Sequence, residues 1–175
     1  MKTASKRSGA KAAAASVEVE MQIRGLMLDP LTNMPIVVLK DVASDTVLPI
    51  WVGIFEANAI ALELEKAATP RPMTHDLMRD LARGLNATVR KVVVSEIRDD
   101  TYFAVIWMEQ EGETVTLDAR PSDAIALALR WDCPIYASRY VLDNARQIGE
   151  GPQNGEEMKV WLENLNDDDL GRYKM

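Results

Sequence analysis

The sequence predicts an α+β fold: a single domain with a mixed, largely antiparallel sheet and three main helices. Three observations lead there. Strand-like and helix-like segments come in blocks (three strands, two helices, three strands, a helix and a strand) rather than in regular βα alternation. Three of those strands follow one another between residues 88 and 117 with short polar turns, the pattern of an antiparallel meander. The chain has 175 residues, 47% of them hydrophobic, enough for one well-filled core and assigned here to residues 17–145.

The elements follow in order. Val17, Val19, Met21 and Ile23 alternate with Glu18, Glu20, Gln22 and Arg24, so residues 17–28 read as a strand with one wet face. Asp29-Pro30 and Asn33 mark a turn. The run Pro35 to Leu39 reads as a buried strand, and Leu48 to Val52 as a third, ending at Gly53. Ala57, Ile60, Ala61 and Leu64 recur at helical spacing, which predicts a helix over 54–68. Thr69-Pro70-Arg71-Pro72 stops it. Thr74 reads as the N-cap of a second helix running to about Leu85, with Leu77, Leu81 and Leu85 on one face and Met78 beside them.

Strands are predicted over 88–97, 102–109 and 114–117. Pro121 suits the first turn of a third helix, and Ala124 to Leu129 is apolar all round until Arg130, so that helix belongs in the interior. A short strand is expected over Pro134 to Ala137. Residues 149–155 read as a linker and 158–165 as a short helix, within an acidic C-terminal segment over 146–175.

Charge narrows the function classes. The net charge is −7, unevenly spread: residues 1–16 carry Lys2, Lys6, Arg7 and Lys11 with no acid and read as a disordered basic tail, while the body and the C-terminus are acidic. An acidic body argues against broad contact with a phosphate backbone, so nucleic acid would need a local basic patch, a metal or the basic tail. Cys133 is the single cysteine, which fits a reducing compartment and a cytoplasmic location. No apolar stretch approaches the ~20 residues of a membrane span. Trp51, Trp107 and Trp131 lie in apolar segments and are expected in the core.

The candidate site comes from two related helix starts. Arg71-Pro72-Met73-Thr74-His75-Asp76 and Asp118-Ala119-Arg120-Pro121-Ser122-Asp123 each place Arg-Pro, a hydroxyl residue and an Asp at a helix N-terminus, where free N–H groups and the helix dipole favour anions. His75, the only histidine, is suited to acid–base work or metal ligation near neutral pH. Asp76 and Asp123 are equally explained by the helix dipole. Asp118 has two readings, an ion pair with Arg120 at the strand–helix corner or a metal ligand with Asp123. Arg71 and Arg120, extended by the following prolines, read either as partners of Asp76 and Asp123 or as phosphate-binding forks. Glu56 opens the first helix just after Gly53. If these groups converge, hard carboxylate oxygens with Mg²⁺ or Mn²⁺ and an Arg on phosphate suit phosphodiester hydrolysis, with Asp76, Asp118 and Asp123 as the candidate metal ligands.

Leu48-Pro49-Ile50-Trp51-Val52-Gly53 with Glu56-Ala57, the Arg71–Leu77 segment, the Asp118–Ala128 segment and then Pro134-Ile135-Tyr136 together resemble the bifunctional nuclease domain family, over residues 17–145. The resemblance implies DNase and RNase activity, a nucleic-acid partner and association as a homodimer or higher homo-oligomer. It places the motif positions at Glu56, Arg71, His75, Asp76, Asp118, Arg120, Ser122 and Asp123, with the last Ser and the two Arg on the substrate side. The alternative is a non-enzymatic oligomeric binding or regulatory module in which the same residues are ion pairs and caps around an anion-binding surface.

Overall fold

The structure is a computed structural model, and it describes residues 17–30 and 32–148. The expectations for residues 1–16 and 149–175 lie outside the described residues. Seven strands form one open sheet: β1 (Glu18–Leu28), β2 (Pro35–Asp41), β3 (Val47–Trp51), β4 (Ala87–Arg98), β5 (Thr101–Gln110), β6 (Glu113–Ala119) and β7 (Ile135–Ser138). Four helices accompany them: α1 (Ile54–Leu64), α2 (Thr74–Gly84), α3 (Pro121–Trp131) and α4 (Arg139–Ile148). The strand order is β3-β2-β1-β7-β4-β5-β6. Every neighbouring pair is antiparallel except β4 with β7. The α+β class with a mixed, mostly antiparallel sheet is therefore as the block order predicts.

Helix α3 is the centre of the molecule. Eight of its eleven residues are buried, among them Ala124 to Ala128 and Arg130. Arg120 caps it in an extended conformation, Pro121 supplies its preset φ at the first turn, and Asp132 closes it in the left-handed region at φ 51°. Its side chains join one apolar cluster with Leu39, Leu48, Ile50, Val92, Val94, Ala104 and Ile106. β4 and β5 pack on α3 and β2 packs on α1, so both halves of the sheet share one core. Helices α1 and α2 pack on α3, and α4 packs on β4 and β7.

Several local expectations are revised. Helix α1 ends at Leu64 rather than near residue 68, and Lys66 then turns through a left-handed conformation. The N-cap of α2 is Met73, with Thr74 as the first helical residue; the acid of the first turn explains this, since Asp76 Oδ2 accepts the Met73 backbone N–H at 2.8 Å. Helix α4 carries no turn signal ahead of it and follows β7 without a break. It is held by Val141 and Leu142, both in the core, and by the Ser138 hydroxyl, which accepts the Val141 N–H at 3.2 Å. Trp51 is not a core residue: it sits at the end of edge strand β3, 36% exposed, and donates its indole N–H to Asp29 Oδ2 at 2.9 Å.

Candidate functional site

The two proline-introduced helix starts meet. His75, in the first turn of α2, is buried and places Nε2 3.0 Å from Asp123 Oδ1, in the first turn of α3. Asp123 is also gripped by Arg120 through Nε to Oδ2 at 2.8 Å and Nη2 to Oδ1 at 3.2 Å. Arg120 reaches onward with Nη1, 2.9 Å from Glu56 Oε1 on α1. A continuous polar line, His75–Asp123–Arg120–Glu56, therefore ties the N-terminal turns of α1, α2 and α3 together. Burial pushes the Asp123 carboxyl upward, but the hydrogen bonds from Arg120 and His75 outweigh it and hold the group below the usual carboxylate range. Asp123 is thus the anion of the line, and an anionic acceptor puts the proton of a neutral His75 on Nε2, leaving Nδ1 as its lone-pair nitrogen.

Arg120 is the member that faces solvent, with 65% of its side chain exposed. It borders a cleft of about 300 Å³ formed where the end of β3, the β4–β5 turn and the start of α3 approach one another. Trp51, Gly53, Thr101, Tyr102 and Ser122 also line it. Ser122 is buried to 6% exposure, so it contributes to the cleft wall rather than to open surface. Gly53 fits its place for a steric reason: a Cβ there would overlap the Glu56 carboxylate, so only glycine leaves room for Glu56 to fold back toward Arg120.

The other predicted site residues are not drawn into this line. Asp76 turns away from His75 and pairs with Arg130, Nε to Oδ1 at 2.6 Å. The Arg130 side chain is only 2% exposed and also donates to the carbonyls of Ala126 and Ala59 at 2.9 and 3.2 Å. Burial raises the Asp76 carboxyl, and the Arg130 and Met73 hydrogen bonds more than reverse the effect, so it too stays below the ordinary range. Asp118 lies on exposed β6, next to Ala119, which packs against the core. Strand alternation sends Asp118 to the opposite sheet face, and it makes neither of its expected contacts: Arg120 bonds Asp123 and Glu56 instead. Arg71 is exposed, and among the described residues no ion pair forms on it.

The set Asp76, Asp118 and Asp123 does not assemble as metal ligands. One carboxylate is committed to Arg130 and one stands on the other face of the sheet. Among the described residues, no three His, Cys, Asp or Glu side chains are grouped to hold a metal ion. Cys133 is partly buried, its thiol pushed up to about 11 chiefly by burial, and His75 is paired with Asp123 rather than with it. No described helix is long and apolar enough to cross a membrane.

Sequence reasoning missed Arg130 as the partner of Asp76. The visible signal was a lone Arg ending an otherwise apolar helix, which demands a buried acid somewhere in the fold. It also missed Thr101 and Tyr102, which line the cleft from the start of β5.

The bifunctional nuclease domain family matches residues 37–149, and the chain belongs to that family. An uncharacterized protein of Mycobacterium tuberculosis is 37% identical over 126 residues, covering 72% of this chain and 75% of its own length. Bifunctional nuclease 1 of Oryza sativa subsp. japonica is 29% identical over 119 residues, 66% of this chain but 36% of the plant protein. Bifunctional nuclease 1 of Arabidopsis thaliana is 29% identical over 123 residues, 67% of this chain and 38% of its own. The chain therefore spans little more than a third of these plant relatives.

Proposed function

We propose that the protein is a nuclease that hydrolyses phosphodiester bonds of DNA or RNA, acting as a homo-oligomer in the cytoplasm. The observation that carries this reading is the His75–Asp123–Arg120 line opening through Arg120 onto the cleft. A guanidinium has five N–H groups, and three of them are used on Asp123 and Glu56. The remaining two are available to phosphate oxygens, where they offset charge developing at phosphorus. The two carboxylates fix the fork in place before substrate arrives. His75, oriented by Asp123, takes a proton from a water on Nδ1 as the water oxygen bonds to phosphorus. The leaving ester oxygen, in line on the opposite side of phosphorus, takes a proton from solvent as the P–O bond breaks, and the imidazolium releases its proton to solvent afterwards. The names of the plant relatives support the reaction class.

The test is cleavage of single- and double-stranded DNA and RNA with Mg²⁺, Mn²⁺ or EDTA. Removing a positioned acid–base group costs typically about 10²–10⁴ in rate, so His75→Ala falls by that factor and Asp123→Asn follows it. Undiminished cleavage by both variants overturns the assignment. A divalent-metal requirement shows as loss in EDTA, with no role for Asp118→Asn.

A second reading, a non-enzymatic anion-binding module, is favoured by one observation: the His75 side chain is only 8% exposed and both Asp123 oxygens are already engaged. Oligonucleotide retention that depends on Arg120, without cleavage under any of the metal conditions, would establish it.

A further inference from the structure

Helix α2 is turned the wrong way round for a monomer. It is strongly amphipathic, yet the side it packs on α3 is the polar one: His75 is its one fully buried residue, with Asp76, Arg79 and Ala82 half-buried. Its apolar side faces out. Met73, Leu77, Met78, Leu81 and Leu85 are each between 42% and 65% exposed. A soluble monomer rarely leaves a contiguous apolar surface of this kind uncovered.

We propose that this face docks on the same face of a second copy, α2 against α2 about a two-fold axis. The proposal rests on the oligomeric part of the functional reading and not on its chemistry. Three features of the helix point to a copy of itself. Met73, Leu77, Leu81 and Leu85 follow an i, i+4 ridge along the whole helix, the geometry in which two ridges interdigitate at a crossing of about −50°. The ridge is symmetric about residue 79, so an antiparallel partner sets Leu77 against the partner's Leu81 and Met73 against the partner's Leu85. An isologous contact requires this self-complementarity.

The third feature is Gly84. It lies in the last turn of α2, on the exposed side, where a helix normally gains from alanine. A Cβ there would meet nothing within 4 Å, so no packing contact among the described residues calls for the glycine. In the antiparallel arrangement it stands opposite the partner's Thr74, where a missing side chain lets the two backbones approach. The overall charge of −7 opposes contact between copies elsewhere, whereas this ridge is uncharged. The five exposed apolar side chains of α2 would form the centre of an interface whose standard size is roughly 800 Å² per partner, with a polar rim around them.

The pairing has a bearing on the site. Leu77 follows His75 by two residues on the same helix, so the contact would border the His75 end of the polar line.

Light scattering on the full chain at micromolar concentration tests this. The expected mass is twice the 19.5 kDa of one chain. The Leu77→Glu/Leu81→Glu variant is expected at 19.5 kDa, self-association weakened at least a hundredfold, with the far-UV spectrum of the wild type. Gly84→Gln gives an independent variant, since the added side chain enters open space in the single chain; it is expected to weaken association at least tenfold. A wild-type mass of one chain overturns the proposal, meaning that something other than a second copy covers α2. So does a dimer that survives both variants. Absence of nuclease activity leaves the mass result standing, so the two readings fail separately.

Discussion

Arg130 and Asp76 form a nearly dry ion pair between α3 and α2, Nε to Oδ1 at 2.6 Å, with 2% and 18% of the side chains exposed. The pair fixes the angle at which α2 lies on α3, and with it the position of His75 one residue earlier. A buried guanidinium left without its acid is strongly unfavourable.

Asp76→Ala is therefore expected to destabilise the fold by about 3–5 kcal/mol, by analogy with other broken buried pairs. Urea denaturation reads this directly. A loss below 1 kcal/mol would mean that water reaches Arg130 and that the pair is incidental. Replacing both partners, Asp76→Leu with Arg130→Met, is expected to recover much of the loss, because the isolated charge is then gone.

Gly53→Ala is a site variant with little effect on stability. The added methyl displaces the Glu56 carboxylate, the far end of a flexible side chain, so the backbone need not move. Arg120 keeps Asp123 and loses Glu56. The expected outcome is an unchanged Tm with a several-fold rise in KM or in the Kd for oligonucleotide. Unchanged substrate affinity would show that Glu56 does not hold the fork.

Arg120→Lys removes the fork but keeps the charge. If phosphate is recognised by paired N–H groups, the lysine variant behaves like Arg120→Ala, with affinity lowered about tenfold or more. Equal performance of Lys and Arg would mean that only a point charge is needed. Salt titration of binding separates the two outcomes.

The pH dependence of stability has a definite sign. Asp76 and Asp123 both have folded pKa values below that of an ordinary carboxyl, about 3.9. Their stabilisation is fully present above that value and is lost as pH falls through the folded values, because the unfolded chain takes up the protons first. Unfolding free energy should be flat in these two groups from pH 5 upward and decline below about pH 4. Asp123→Asn should flatten part of that decline; an acid limb of the same steepness would place the responsible carboxylates elsewhere.

The parts of this fold legible in the sequence were those governed by periodicity and by turn chemistry. Alternation exposed β1, the apolar run exposed α3, and the prolines marked where α2 and α3 begin. The convergence of His75 with Asp123 was legible as a possibility, because both sit in the first turns of related helix starts. Which acid would meet which base was not. Asp76 and Asp123 look equivalent along the chain, and only the depth of Arg130 in the interior separates them. Asp118 illustrates a second limit: one residue of strand register decides the face, and the sequence alone did not fix which face of β6 looks toward α3. Helix α2 shows a third. Its apolar stripe was plain, but a stripe says only that something covers it, not whether the cover lies within the chain.

The single parallel joint in the sheet has a consequence for how the chain assembles. β1 and β4 share no ladder of their own; β7 lies between them, its Ser138 paired with Glu18 and its Ile135 with Val92. The ribbon of β1–β3 and the meander of β4–β6 are each local, whereas the strip that unites them is made almost last. On the ribosome the first ribbon must wait, one edge unsatisfied, until β7 emerges, and the rate of folding is then governed by that long-range closure.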